Sequence, residues 1–198
     1  MLRHPCKQDR QRMFFFQLRQ LEEIRDCLSL DAARTLVNAL VVSCLDYCNG
    51  LSVGLPDKQL NQLQAVMNAA ARLICRDRRY GNIITPLLRD RLHWLRSRER
   101  VTLKICVILY KALHDMEPSY IIYLCVLVTT NTRRSSLRSA TDGQLVVPRT
   151  STKAGYGAFA VAGPKSWNKL SSYVRQSPSL DTFKRTLKMH IITVSFPS

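Results

Sequence analysis

Between Ala33 and Cys48 the apolar residues fall at Ala33, Leu36, Val37, Leu40, Val41, Cys44, Leu45 and Cys48. That three-and-four spacing places them on one side of a helix. A similar spacing runs through Phe14, Leu18, Leu21, Ile24, Arg25 and Leu28, and again through Leu60, Leu63, Met67, Ala70, Ala71 and Ile74. Ser29 and Asp31 offer N-cap oxygens for the middle helix, and Pro56 or Asp57 opens the third. Asn49-Gly50 and Gly54-Leu55-Pro56-Asp57 supply the turn between them. Residues 14–80 therefore predict an antiparallel three-helix bundle, preceded by a polar, basic, disordered leader over residues 1–13.

Residues 81–128 predict a helical extension. Thr85-Pro86 starts a short helix, Leu92-His93-Trp94-Leu95 forms an apolar knot, and helices are expected over Ser97 to His114 and Pro118 to Leu127. In the longer helix Val101, Ile105, Ile108, Leu109, Ala112 and Leu113 face inward. Composition changes near Thr129, and residues 129–198 read as a basic C-terminal part. Leu145-Val146-Val147 is a short strand candidate stopped by Pro148, and Gly155 to Pro164 punctuates an irregular or β segment. Trp167 is expected to anchor a single helical turn. Ser179 caps a last helix with Leu180, Phe183, Leu187 and Ile191 inward. The expected fold class is mainly α, with a small irregular α+β C-terminal part. No apolar run approaches the roughly 20 residues a bilayer span needs, so no membrane role is expected.

The net charge is +16 over 198 residues. Residues 1–75 carry nine Lys/Arg against seven Asp/Glu, and residues 76–198 carry twenty-one against seven. A compact fold with that excess is relieved by a polyanion, nucleic acid before an anionic membrane surface. The cations gather in three groups. The first is Arg76, Arg78, Arg79, Arg89, Arg91, Arg96, Arg98 and Arg100, with Tyr80 and Trp94 interleaved. The second is Arg133, Arg134 and Arg138 in a Ser/Thr-rich loop. The third is Lys184, Arg185 and Lys188 on the last helix. Arginine suits phosphate oxygens and aromatic stacking. Against that stand plain core packing for Trp94 and Trp167, and local pairing of Arg98 and Arg100 with Glu99 or Asp90.

Catalytic signals are missing from the pattern. Fourteen carboxylates include no Asp-Asp pair that would hold catalytic metal. Asp46-Tyr47 lacks a second Asp, and Glu22-Glu23 reads as a solvated face. No His pair stands at i, i+4, no nucleophile elbow or P-loop is present, and Cys106, His114 and Cys125 lack a fourth ligand for zinc. The expectation is therefore no enzyme in this chain alone, no metal and no cofactor. Seven cysteines without a C-x-x-C pair read as reduced thiols on apolar helix faces, in the nucleus or cytoplasm.

Ten residue blocks in order resemble one family. They include Phe16-Gln17-Leu18-Arg19, Leu45-Asp46-Tyr47-Cys48-Asn49, Asn68 to Ile74, Leu92-His93-Trp94-Leu95 and Tyr110-Lys111-Ala112-Leu113-His114. They continue through Pro118-Ser119-Tyr120, Leu137-Arg138-Ser139, Val146 to Arg149, Phe159 to Leu170, and Phe183-Lys184 with Leu187-Lys188. Over roughly residues 14–192 the chain resembles the post-palm region of LINE-type, non-LTR retrotransposon reverse transcriptases of the jockey-like group. The resemblance implies a thumb in the first three helices and a C-terminal extension after it. It implies RNA or an RNA–DNA hybrid as partner, and an upstream polymerase palm carrying the aromatic-x-Asp-Asp motif, which no position here matches. Arg96 stands where the family has Pro, and residues 1–13 do not resemble it. Two other readings remain open: a helical protein-interaction module, and a nonfunctional remnant of a transposon copy.

Overall fold

The computed structural model describes residues 6–47, 53–76, 84–130 and 143–195. These form a mainly helical chain that divides into two compact units, Met1–Asn49 with Pro56–Arg100 and Gly50–Leu55 with Val101–Ser198.

In the first unit α1 spans Cys6–Glu23, so helix begins inside the stretch read as a leader. Gln8, Arg10, Gln11 and Arg12 are good helix formers. Phe14, Leu18 and Leu21 are buried. A 3-10 turn, Arg25–Cys27, then interrupts the stripe and leaves Ile24 exposed. Ser29 caps α2 (Leu30–Val37), its Oγ accepting from the Ala32 amide at 3.2 Å. The helix continues through a π turn, Asn38–Val42, into α3 (Ser43–Tyr47). The wider turn shifts the facing of the chain by about one residue. Val41 is buried as expected, but Leu40, also expected inward, is exposed, and Val42 is buried instead.

The long helix α4 (Asp57–Cys75) packs against α1 and α2. Val66, Met67, Ala70, Ala71 and Ile74 are almost wholly buried, the two alanines allowing close approach of the neighbouring helices. After α5 (Ile84–Pro86) and a second π turn, Leu87–Arg91, the apolar knot closes on the same core. His93 adopts a left-handed backbone, φ 52°, between buried Leu92 and Trp94. That reversal lets both apolar neighbours turn inward, and the Trp94 amide donates to the Leu88 carbonyl at 2.7 Å. Trp94 and Trp167 are both core residues, 7% and 2% exposed.

The second unit takes most of α6 (Ser97–Leu113), together with α7 (Ser119–Ile122), α8 (Lys153–Gly157), α9 (Phe159–Asn168), α10 (Ser172–Arg175) and α11 (Leu180–Ser195). On α6 Val101, Ile105, Leu109 and Ala112 are buried as expected. Cys106 and Tyr110 are buried as well, and Ile108 and Leu113 only partly. Tyr110 stacks on Phe183 with ring centroids 4.3 Å apart, and its hydroxyl donates to the Ser177 carbonyl at 2.8 Å. Ser179 caps α11, and Phe183, Leu187 and Ile191 are buried.

The expected α+β part is corrected: among the described residues there is no strand, only one antiparallel bridge between Leu127 and Leu145. Around it the Val128 amide donates to Gln144 and the Val146 amide to Val126, at 2.9 and 2.8 Å. A side chain pairs with the other edge of Leu145. The Leu145 amide donates to Asn168 Oδ1 at 2.9 Å, and Asn168 Nδ2 donates to the Leu145 carbonyl at 2.8 Å. Trp167 Nε1 adds a bond to the Gly143 carbonyl at 2.9 Å. With both backbone groups of Leu145 satisfied by an amide, no ladder is needed to bury it. The Gly155 to Pro164 segment is helical too. Thr152 caps α8, and Gly163 brings α9 against Leu109, where an added Cβ would sit 3.4 Å from a Leu109 methyl.

Candidate nucleic-acid interface

The first cationic group begins where α4 ends. Arg76 stops that helix in the left-handed conformation, φ 51°. The last carbonyls of α4 are met by the buried guanidinium of Arg25. Its Nε donates to Leu73 at 2.9 Å and one terminal nitrogen to Ile74 at 2.8 Å; the other terminal nitrogen donates to Leu28 at 2.8 Å. A cation at a helix C-terminus also meets the favourable end of the helix dipole. Arg76 reciprocates, donating to the Arg25 carbonyl at 3.0 Å and pairing with Asp26 at 3.3 Å. Arg76 thus fastens the helix end as well as facing solvent.

Other members of the group are engaged in different degrees. Arg89 pairs with its neighbour Asp90 at 2.7 Å, both side chains about half exposed. That hydrogen bond and the adjacent charge raise the Arg89 pKa further. Arg91 is exposed on the π turn with no partner among the described residues. Arg96 is half-buried and donates to Thr85 Oγ1 at 3.3 Å. Arg98 pairs with Asp57, across 41 residues of sequence, with both side chains mostly exposed. Arg100 is different. Only 13% of its side chain is exposed; it binds both Asp46 oxygens at 2.7 and 2.8 Å, donates to the Leu95 carbonyl and lies 5.7 Å from the Trp94 ring centroid. Arg100 is a packing residue of the first unit and does not offer its charge to a ligand. The local pairing anticipated for Arg98 and Arg100 is replaced by these distant carboxylates. Arg78, Arg79, Arg133, Arg134 and Arg138 lie outside the described residues.

The third group does share one face. Lys184, Arg185 and Lys188 are exposed on α11, away from the buried Phe183, Leu187 and Ile191. Lys184 reaches Asp181 at 3.5 Å in an open pair; Arg185 and Lys188 have no carboxylate partner among the described residues. Asp181 is the sole acid from Gly143 onward, against eight Lys/Arg. Of those eight, Arg149, Lys165 and Lys169 are exposed as well. Arg175 is buried and donates to the Leu170 carbonyl, a helix-end role like that of Arg25.

The structure also holds a cleft that the sequence did not announce. It has a volume of about 410 Å³ and lies within the first unit. One wall is the polar side of α4, with Asn61, Gln64 and Asn68 at i, i+3 and i+7. The other carries Arg96, Arg98 and Glu99. Gln64 ties the walls together, its Oε1 accepting from the Ser97 amide at 2.8 Å while its Nε2 donates to Asn68 Oδ1 at 2.8 Å. The i, i+3, i+7 run of amides was the available signal, but nothing in sequence showed what faced it.

Among the described residues no three His, Cys, Asp or Glu side chains converge as metal ligands, and no helix is long and apolar enough to cross a membrane. The cysteines meet the expectation only in part: Cys106 is buried, Cys75 and Cys125 are half-buried, and Cys27 and Cys44 are exposed. Burial alone pushes the Cys106 thiol up to about 12. Comparison with protein-family models, curated proteins and solved structures gives no match.

Proposed function

We propose that this chain is a nucleic-acid-binding fragment of a LINE-type reverse transcriptase. It grips the sugar–phosphate backbone of RNA or an RNA–DNA hybrid and performs no catalysis alone. The observation that carries the proposal is the cationic face of α11, Lys184, Arg185 and Lys188, in a stretch whose one acid is Asp181. The ordered residue blocks supply the family resemblance. Side chains of this kind, without paired base-edge readers, favour backbone contact over sequence reading. The test is fluorescence anisotropy with a labelled RNA–DNA hybrid across salt concentrations. Loss of three phosphate contacts in a Lys184→Glu, Arg185→Glu, Lys188→Glu chain should flatten the slope of log K against log salt by about 2–3. An unchanged slope and affinity would remove the reading.

A second reading has its own observation. Tyr120, Tyr123, Leu124 and Val126 are exposed by 68, 79, 44 and 47% in and just after α7. An apolar patch of that kind suits a protein partner. Partners that survive nuclease treatment and are lost in Tyr120→Ser, Tyr123→Ser would favour this reading; partners that disappear with the nuclease would count against it.

A further inference from the structure

We infer that the cleft between α4 and the Arg96–Glu99 segment is a site for one nucleotide: an unpaired base together with its phosphate. The inference rests on the nucleic-acid reading above and names a second mode of contact within it.

The cleft's chemistry is mixed in sign, and that narrows the occupant. Arg96 and Arg98 favour an anion, but Glu99 stands in the same wall. Glu99 Oε2 is buried and has no hydrogen-bond partner among the described residues. A buried carboxylate oxygen without a donor is costly, and in a native protein such a group calls for a partner. A bare phosphate, an anion at neutral pH, would be repelled by that carboxylate. A nucleobase supplies ring or amino N–H groups for that oxygen once the side chain turns toward the cleft, and its phosphate meets the arginine forks.

The opposite wall fits the same ligand. The Asn61 amide is exposed and has no partner among the described residues; the Asn68 oxygen accepts from Gln64, and its nitrogen has no partner among the described residues. Carboxamides offer a donor and an acceptor side by side, the complement of a base edge. Ile84 and Leu88 add apolar lining, which suits the face of a flat ring. The volume of about 410 Å³ lies in the lower part of the range of ligand cavities, roughly 300–1,000 Å³. A base whose edge meets these carboxamides cannot also pair through that edge, so the base must be unpaired.

Binding of AMP, GMP, CMP and UMP to the whole chain, followed by calorimetry beside inorganic phosphate, tests this. At least one nucleotide should bind ten-fold or more tightly than phosphate. Asn61→Phe fills the cleft from an exposed helix position and should abolish the difference; circular dichroism confirms that the variant is folded. Asn61→Gln keeps the amide and should retain binding. Phosphate binding as well as any nucleotide, or Asn61→Phe leaving nucleotide binding intact, overturns the inference. Oligonucleotides with and without one abasic position separate the sources. Weaker binding of the abasic strand, abolished as a difference by Asn61→Phe, identifies a base within a strand; equal binding with retained mononucleotide affinity identifies a free nucleotide. The salt slope governed by α11 is measured separately, so the cleft can fail while backbone binding stands.

Discussion

Replacing Arg25 by Met should unfold the first unit well before the second. The guanidinium is buried and donates three hydrogen bonds to backbone carbonyls, two of them in the last turn of α4. Hydrogen bonds from a charged group are worth about 1.5–3 kcal/mol each. Desolvating the buried cation offsets a large part of that sum. Methionine preserves most of the packing volume but leaves the carbonyls without their donor, so a loss of about 3 kcal/mol is expected. With a urea m-value of about 2 kcal/mol/M, the midpoint should fall by about 1.5 M. The chain offers a convenient assay, because its two tryptophans fall one in each unit, Trp94 in the first and Trp167 in the second. In a Trp167→Phe background, fluorescence reports the first unit alone. Arg25→Lys keeps the charge and at most part of the hydrogen bonding, and should fall between wild type and Arg25→Met. A midpoint shift below about 0.3 M, or identical losses for Lys and Met, would refute the capping argument.

Three further outcomes follow from single positions. His93 holds φ 52°, so His93→Gly should stay within about 0.5 kcal/mol of wild type while His93→Val loses about 1–2 kcal/mol, read in the same Trp94 assay. In the second unit, a Cβ on Gly54 would lie 2.2 Å from the Gly157 Cα, and Gly54 has φ 71°. Gly54→Ala should therefore cost about 2–4 kcal/mol by Trp167 fluorescence in a Trp94→Phe background, and a loss under about 0.5 kcal/mol would deny the close approach. Cys106 is held protonated by burial, its pKa raised from 9.0 to about 12. A raised acid pKa gives stability that is whole below pH 9 and is lost as pH climbs toward 12. Cys106→Ala should reduce the alkaline fall in the second unit's melting temperature, and at pH 8 iodoacetamide should label exposed Cys27 and Cys44 long before Cys106.

Local periodicity made the helices legible: the stripes over Ala33 to Cys48 and Leu60 to Ile74 correspond to α2–α3 and α4. The register within them was less so. The π turn at Asn38–Val42 exchanges Leu40 for Val42, and no residue type marks such a turn. The C-terminal part misled for a physical reason. Val146 and Val147 have the β-branched character of a strand, but Asn168, 23 residues from Leu145, satisfies the backbone that a strand would have paired. The α11 face was readable because i, i+1 and i+4 on one helix stay together whatever else the chain does. The engagement of Arg76, Arg98 and Arg100 was not, because their partners Asp26, Asp57 and Asp46 are far away in sequence. The cleft needed two distant segments and was invisible for the same reason.

Ion pairing therefore separates the arginines by how readily a polyanion could claim them. The Arg100–Asp46 pair is set in packing, with Arg100 13% exposed, and a phosphate would have to dismantle it. The Arg89–Asp90 pair is open, with side chains 41 and 54% exposed, and solvent screens such pairs strongly. A phosphate can displace Asp90 from Arg89 at little cost, but while the carboxylate remains it competes. Asp90→Asn removes that competitor without removing a cation. If the proposed interface includes Arg89, binding of an RNA–DNA hybrid should tighten at low salt by about three-fold, with the salt slope steeper by up to about one contact. Arg89→Gln in the same background should abolish the gain. Tighter binding that survives Arg89→Gln would trace the effect to net charge alone, and unchanged binding would place Arg89 outside the interface.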